Sequence, residues 1–150
     1  MHTILQQLLA GKGYHVEAID PDETVYNAVL KMNDARIGCL LVMNGNRILG
    51  LFSERDLLLK VIPKKLNPET TLVSDVMSRE VLVVDPDTTV EETMAIMTEK
   101  RVRHLPVMED SVLIGLISIG DITKWLSHKH QRQVQEIDDL VRYINGGYSV

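Results

Sequence analysis

A mixed α/β (α+β) fold, built as two copies of one small unit packed as an intramolecular pair, follows from three observations. Residues 20–61 lie over residues 85–126 at a constant offset of 65 without a gap, and fourteen of the 42 aligned positions are identical. Each copy alternates short β-branched runs with a stretch of helical periodicity. A unit this small leaves a large fraction of its apolar surface wet when alone, so the two copies are expected to pack on each other.

Within each copy the order reads strand, helix, strand, strand, helix. The first strands, His15 to Ile19 and Val81 to Val84, are stopped by Asp20-Pro21-Asp22 and Asp85-Pro86-Asp87, where proline breaks the strand and the acids suit a helix N-terminus. Helices follow, because Val25, Ala28, Val29 and Met32 fall at i, i+3, i+4 and i+7, matched by Val90, Thr93, Met94 and Met97. Two hairpins come next: Cys39 to Met43 and Ile48 to Phe52 about Asn44-Gly45-Asn46, then Leu105 to Met108 and Val112 to Ile117 about Glu109-Asp110-Ser111. Ser53-Glu54-Arg55-Asp56 and Ser118-Ile119-Gly120-Asp121 place a serine three residues before an acid and open a second helix in each copy.

Between the copies, Ile62 to Pro68 reads as a linker and Thr71 to Met77 as a short lead-in helix to the second copy. After them, Val134, Ile137, Val141 and Ile144 form a narrow apolar stripe on the polar helix Gln131 to Ile144, which either packs on its own domain or contributes to a dimer contact. The chain therefore divides into a lead-in (1–13), a first repeat (14–63), a linker (64–75), a second repeat (76–128) and a C-terminal helix and tail (129–150).

Composition narrows the function. A formal net charge of −5 argues against a general polyanion binder, and 4% aromatic residues leave too few rings for a single-strand stacking platform. The single cysteine, Cys39, lies in the apolar run Cys39 to Met43 and reads as a small buried hydrophobe; neither a disulfide framework nor a zinc site follows. The N-terminus resembles no signal peptide and no stretch approaches a membrane span, so a cytoplasmic location is expected.

Two constellations could carry chemistry. In Gly50-Leu51-Phe52-Ser53-Glu54-Arg55-Asp56 and Gly115-Leu116-Ile117-Ser118-Ile119-Gly120-Asp121, the glycine permits close approach to a strand, while serine and acid sit where free backbone N–H groups collect. Such a place suits a phosphorylated ligand, and the carboxylate can accept both hydroxyls of a ribose. Alternatively the pair only caps its helix. In Arg101-Val102-Arg103-His104-Leu105-Pro106-Val107, three potential cations just before a strand can gather phosphate oxygens, whereas Arg36 alone reads as a helix end whose charge complements the dipole. Lys12, in Gly11-Lys12-Gly13-Tyr14, is either an exposed loop lysine or a further phosphate contact.

These patterns resemble the cystathionine-β-synthase-type (CBS) domain, with its h-P-V strand and G-h-h-[ST]-x-x-[DN] helix start, present here twice in the correct order over most of Tyr14 to Ser127. The resemblance is to stand-alone bacterial proteins carrying one tandem pair, the Bateman module. It implies clefts between the repeats that bind adenosine-containing ligands: AMP, ADP, ATP, S-adenosylmethionine or NAD(H). It further implies that Asp56 and Asp121 hold ribose hydroxyls and that Ser53 and Ser118 meet phosphate or ribose oxygens. The adenine would lie near Val16 and Val83 and against Cys39 or Leu105, with Arg101, Arg103 and His104 facing phosphates. The copies differ: Leu41 stands where the second has Pro106, Gly38-Cys39 replaces Arg103-His104, and Arg55 replaces Gly120.

The function expected is therefore a non-catalytic regulatory module that senses energy or redox state through an adenine nucleotide and signals to a partner in trans, with a homodimer implied by the resemblance. Two other readings compete: a purely structural module with capped helices, and a nucleotide-processing enzyme using Asp56, Asp121, His104 and Ser118. For the enzyme, neither serine has a histidine nearby in sequence, no metal spacing occurs, and His128-Lys129-His130 reads as solvated.

Overall fold

The computed structural model describes residues 2–146; Met1 of the lead-in and residues 147–150 of the C-terminal tail lie outside the described residues. The elements run α1 (Leu5–Lys12), β1 (Ala18–Ile19), α2 (Val25–Ala35), β2 (Cys39–Asn44), β3 (Arg47–Ser53), α3 (Glu54–Asp56) continuing as a π-helical stretch (Leu57–Val61), α4 (Val73–Val76), α5 (Val90–Lys100), β4 (His104–Glu109), β5 (Val112–Ser118) and α6 (Ile119–Gly146). In the first repeat β1 pairs parallel with β2, which pairs antiparallel with β3; in the second, β4 pairs antiparallel with β5. Both hairpins carry a register shift at the same place, between Val42 and Met43 and between Val107 and Met108.

Local chemistry accounts for the element ends. Thr24 Oγ1 accepts from Asn27 N at 3.1 Å to start α2, and Thr89 Oγ1 accepts from Glu92 N at 3.1 Å while Thr89 N donates in return to Glu92 Oε2 at 3.0 Å. Both helices stop on an arginine in the left-handed region, Arg36 at φ 55° and Arg101 at φ 53°.

The strand expected over Val81 to Val84 shrinks to one parallel bridge, Val84 to Val107. In the first repeat Leu41 N donates to Glu17 O at 3.2 Å, and the residue in Leu41's place is Pro106, which has no N–H to give. The strand expected over His15 to Ile19 likewise contracts to its last two residues.

The segments before each repeat behave differently from the sequence expectation. Thr71 to Met77 does not lead into the second repeat; it completes the core of the first. Val73, Val76 and Met77 pack there with Ile19, Val25, Leu40 and Phe52. Its backbone is stitched to the start of α2 by Val25 N to Thr71 O (2.9 Å) and Val73 N to Glu23 O (2.8 Å). The N-terminal segment does the same for the second repeat, through Val90 N to Thr3 O (2.9 Å) and Leu5 N to Thr88 O (2.9 Å), with Leu5 and Leu9 fully buried among Val84, Leu105 and Ile117. Each repeat's core is thus closed by the segment that precedes the other repeat in the chain.

Gly50 and Gly115 admit these crossings. A Cβ on Gly50 would stand 2.6 Å from Ser78 O, and one on Gly115 would stand 2.6 Å from Leu9 Cδ2. The close approach read from the glycines is real, and the approaching group is the chain itself.

Strand β2 is buried on both faces. Leu40 and Val42 enter the first core, while Cys39 and Leu41 point the other way and are equally sealed, as period-two alternation requires of a strand with a second layer against it. Helix α6 runs on as one piece through the position where a second helix was expected to end and another to begin, about 42 Å for its 28 residues. Val134, Ile137, Val141 and Ile144 are 44%, 59%, 48% and 58% exposed, so the stripe does not pack on its own domain. Among the described residues no helix is long and apolar enough to cross a membrane.

Candidate functional site

The two serine–aspartate pairs sit where an antiparallel hairpin strand becomes a helix. Opposite Ser53 in the ladder is Cys39, and opposite Ser118 is His104. The helix starts are held alike: Glu54 N donates to Gly38 O at 3.0 Å and Ile119 N to Arg103 O at 2.8 Å. In each pair the aspartate accepts from the serine backbone N–H, at 3.0 Å for Asp56 and 2.8 Å for Asp121, and the serine hydroxyl accepts from the aspartate N–H. The capping box read from the sequence is therefore formed twice.

Beyond the cap the two sites diverge. Around Asp56, Oδ2 also accepts from Ser53 Oγ at 3.3 Å, while Oδ1 accepts from Ser78 Oγ at 2.9 Å and faces Lys60 Nζ at 2.9 Å. Its side chain is 6% exposed. The carboxylate expected to hold ribose hydroxyls thus has both oxygens engaged by the chain. Around Asp121, Oδ2 takes the Ser118 amide and Lys12 Nζ, the latter at 2.5 Å, and the side chain is 21% exposed. Lys12 also donates to Leu116 O at 2.6 Å, so it is neither an idle loop lysine nor free for phosphate in this arrangement.

Electrostatics follow from these contacts. Burial works to raise the Asp121 pKa, but the hydrogen bonds from Lys12 and Ser118 and the Lys12 charge outweigh it and hold the carboxyl below the usual aspartate range. Burial, then the neighbouring Lys12 ammonium, push the His104 imidazole down, with Asp121 and Glu54 pulling the other way. His104 was expected to face phosphate among the cations; it is instead a neutral ring near pH 7, able to donate or accept a hydrogen bond. Glu54 opens the helix of the first repeat, so its influence on His104 reflects how closely the two helix starts approach.

Placement of the remaining predicted residues is mixed. Ser118, Asp121, His104, Arg103 and Lys12 gather in one place. Ser53, Asp56 and Cys39 gather in the other, with Arg55 exposed beside them. Cys39 is 3% exposed, and burial first, then the Asp56 carboxylate, drive its thiol up to about 12. Leu105 is fully buried in the second core, so its side chain is not a wall for adenine; Pro106, one residue on, faces the other way and is also buried. Arg36 and Arg101 cap helix ends in solvent. Val16 is half-buried, two residues before β1, and Val83, 49% exposed, lines a cavity of about 640 Å³ with Arg47, Arg79 and Met108. Sequence reasoning missed Lys60 and Ser78. Lys60 stood one helical turn beyond Asp56 and could have been suspected; Ser78 is brought in only by the crossing segment.

The fold defines a class: a tandem α/β repeat module whose two copies share a capped helix start at the end of a hairpin. The CBS domain family matches residues 14–62 and 73–128, and the chain belongs to it. The chain is 37% identical over 155 residues to a mitochondrial CBS domain-containing protein of Arabidopsis thaliana, CBSX3, covering 97% of this chain and 74% of the plant protein. Among solved structures, a protein with CBS domains from Burkholderia ambifaria superposes with a TM-score of 0.80 at 38% identity, over 83% of this chain and 93% of that one. The CBS-domain containing protein ATU1752 of Agrobacterium tumefaciens gives 0.78 at 35% identity, over 81% and 98%.

Proposed function

We propose that this chain is a non-catalytic regulatory module that binds an adenine nucleotide beside Asp121 and transmits its occupancy to a partner in trans. The observation that carries the reading is the Asp121 helix start, where a partly exposed carboxylate, the Ser118 hydroxyl, Lys12, Arg103 and a neutral His104 are brought together. Acceptors for ribose hydroxyls and donors for phosphate are both present. AMP, ADP, ATP and NAD(H) share the adenosine this arrangement suits, and S-adenosylmethionine carries it without phosphate. The related Burkholderia protein is placed in signal transduction, which supports a regulatory role. The cytoplasm is the proposed compartment and a homodimer the proposed assembly, the exposed stripe of α6 being available to a second copy.

Signalling requires that the ligand bind one arrangement of the repeats or protomers more tightly than another; moving a balance from 1:99 to 99:1 takes about 5.5 kcal/mol of differential affinity. A ligand specific to the native state, present at about a hundred times its dissociation constant, raises stability by about 2.7 kcal/mol. A thermal-shift titration with AMP, ATP and NADH is expected to raise the midpoint for at least one of them and to lose that rise in Asp121→Asn. A flat response to all three would refute the reading.

The alternative, a structural module, is favoured at one position by a specific observation: Asp56 is consumed by Ser53, Ser78 and Lys60.

A further inference from the structure

The two repeats are alike in fold and unlike at their carboxylates. We infer that they have divided the work: only the second carries a nucleotide site, and the first repeat's serine–aspartate pair is a clasp that fastens the crossing segment. This rests on the nucleotide reading above and assigns its stoichiometry, one ligand per chain.

Two residue differences produce the division. Lys60, one turn beyond Asp56, reaches Asp56 Oδ1 at 2.9 Å and also donates to Val76 O at 3.0 Å and Ser78 Oγ at 3.4 Å. The residue in its place in the second repeat is Trp125, whose ring packs on the second core. Ser78, which gives its hydroxyl to Asp56, ends the crossing segment of the first repeat; the matching position in the other crossing segment is Ala10, which has no hydroxyl to give. Asp56 is therefore tied to Val76 and Ser78 by a network on its own side, and a ribose would have to break several bonds to a nearly buried carboxylate. At Asp121 the only partner beyond the cap is Lys12, and Oδ1 has no protein donor among the described hydrogen bonds.

Lys12 itself belongs to the asymmetry. The stretch from Leu9 to Thr24 is three residues longer than that from Met77 to Thr89, and Lys12 lies in the longer one. A ribose that engages Asp121 displaces one lysine from a carboxylate 21% exposed, whereas at Asp56 it would displace both Lys60 and Ser78 from one 6% exposed.

The test is a double dissociation by calorimetric titration with AMP, ATP and NADH in turn, alongside thermal melting of the unliganded variants. Wild type is expected to bind one nucleotide per chain. Asp121→Asn, which keeps an oxygen for the Ser118 amide, is expected to weaken binding by about tenfold or more and to melt close to wild type. Asp56→Asn and the milder Ser78→Ala are expected to melt lower while keeping affinity within about twofold, inside the range of ordinary surface-level effects; should Asp56→Asn not fold, Ser78→Ala carries the comparison. Two nucleotides per chain, or loss of affinity in Ser78→Ala or Asp56→Asn with retention in Asp121→Asn, would overturn the division while leaving nucleotide binding intact. No binding of any of the three by wild type would instead remove the functional reading on which it rests.

Discussion

Lys12 Nζ stands 2.5 Å from Asp121 Oδ2, although 109 residues separate them in the chain. The contact exists because α1 crosses to the second repeat, buries Leu5 and Leu9 there, and delivers its last residue to the end of β5. A lysine ahead of the first repeat thus becomes part of the site of the second.

Replacing that lysine separates its possible roles. In Lys12→Met the carboxylate of Asp121 loses its competitor, so affinity for adenosine, which has no phosphate, is expected to rise by up to about fivefold, the equivalent of an exposed ion pair worth ~1 kcal/mol. Unchanged adenosine affinity in a direct titration would show that Lys12 does not occupy the ribose position.

The crossing makes each core depend on a remote segment. Leu9→Ala is expected to cost about 2–5 kcal/mol by urea denaturation and to red-shift the native emission of Trp125, the single tryptophan, which packs on the same core. Val76→Ala, in the other crossing segment, is expected to destabilise without moving the native emission, since its core is the first. A red shift in both would mean that the cores are not separately closed.

The two motif glycines are expected to respond unequally. A methyl at Gly50 meets the backbone oxygen of Ser78, which cannot retreat because Ser78 and Leu51 exchange hydrogen bonds of 2.8 and 2.9 Å. At Gly115 the same methyl meets the tip of Leu9, a side chain that can rotate. Gly50→Ala should therefore lose about 1–3 kcal/mol by urea denaturation and Gly115→Ala less; the reverse order would contradict the geometry.

Acid should weaken the second repeat through His104. Its pKa is lowered from 6.5 by burial and by Lys12, so the folded state binds that proton less readily than the unfolded chain. The stability this contributes is fully present above about pH 6.5 and is lost as pH falls through the lower folded value. Asp121, held below the ordinary aspartate value of 3.8, stays ionised over this window. Melting between pH 7.5 and 5.5 is expected to show a decline that is shallower in His104→Gln; parallel curves would remove His104 as its source.

Much of the architecture was legible from local signals. The 65-residue offset located both hairpins, and the helical spacing of Val25, Ala28 and Met32 marked the buried face of α2. The serine–aspartate pairs were legible as caps for the same reason: a capping box is closed within four residues. The strand over Val81 to Val84 was misjudged because its pairing depends on a neighbour's N–H, which Pro106 lacks. The crossing segments share a pattern, Thr3-Ile4-Leu5 with Leu8-Leu9 against Thr71-Leu72-Val73 with Val76-Met77, at an offset of 68 rather than 65. That shift hid their equivalence.

By itself the sequence determined the repeat, its helices and hairpins, and the two capped helix starts, because these depend on contacts a few residues apart and on periodicity that one segment carries alone. Which carboxylate is sealed and which stays within reach was decided only in three dimensions. Ser78 and Lys12 reach Asp56 and Asp121 through segments that cross between the repeats, and the burial that sets the state of His104 belongs to the assembled pair rather than to any stretch of chain.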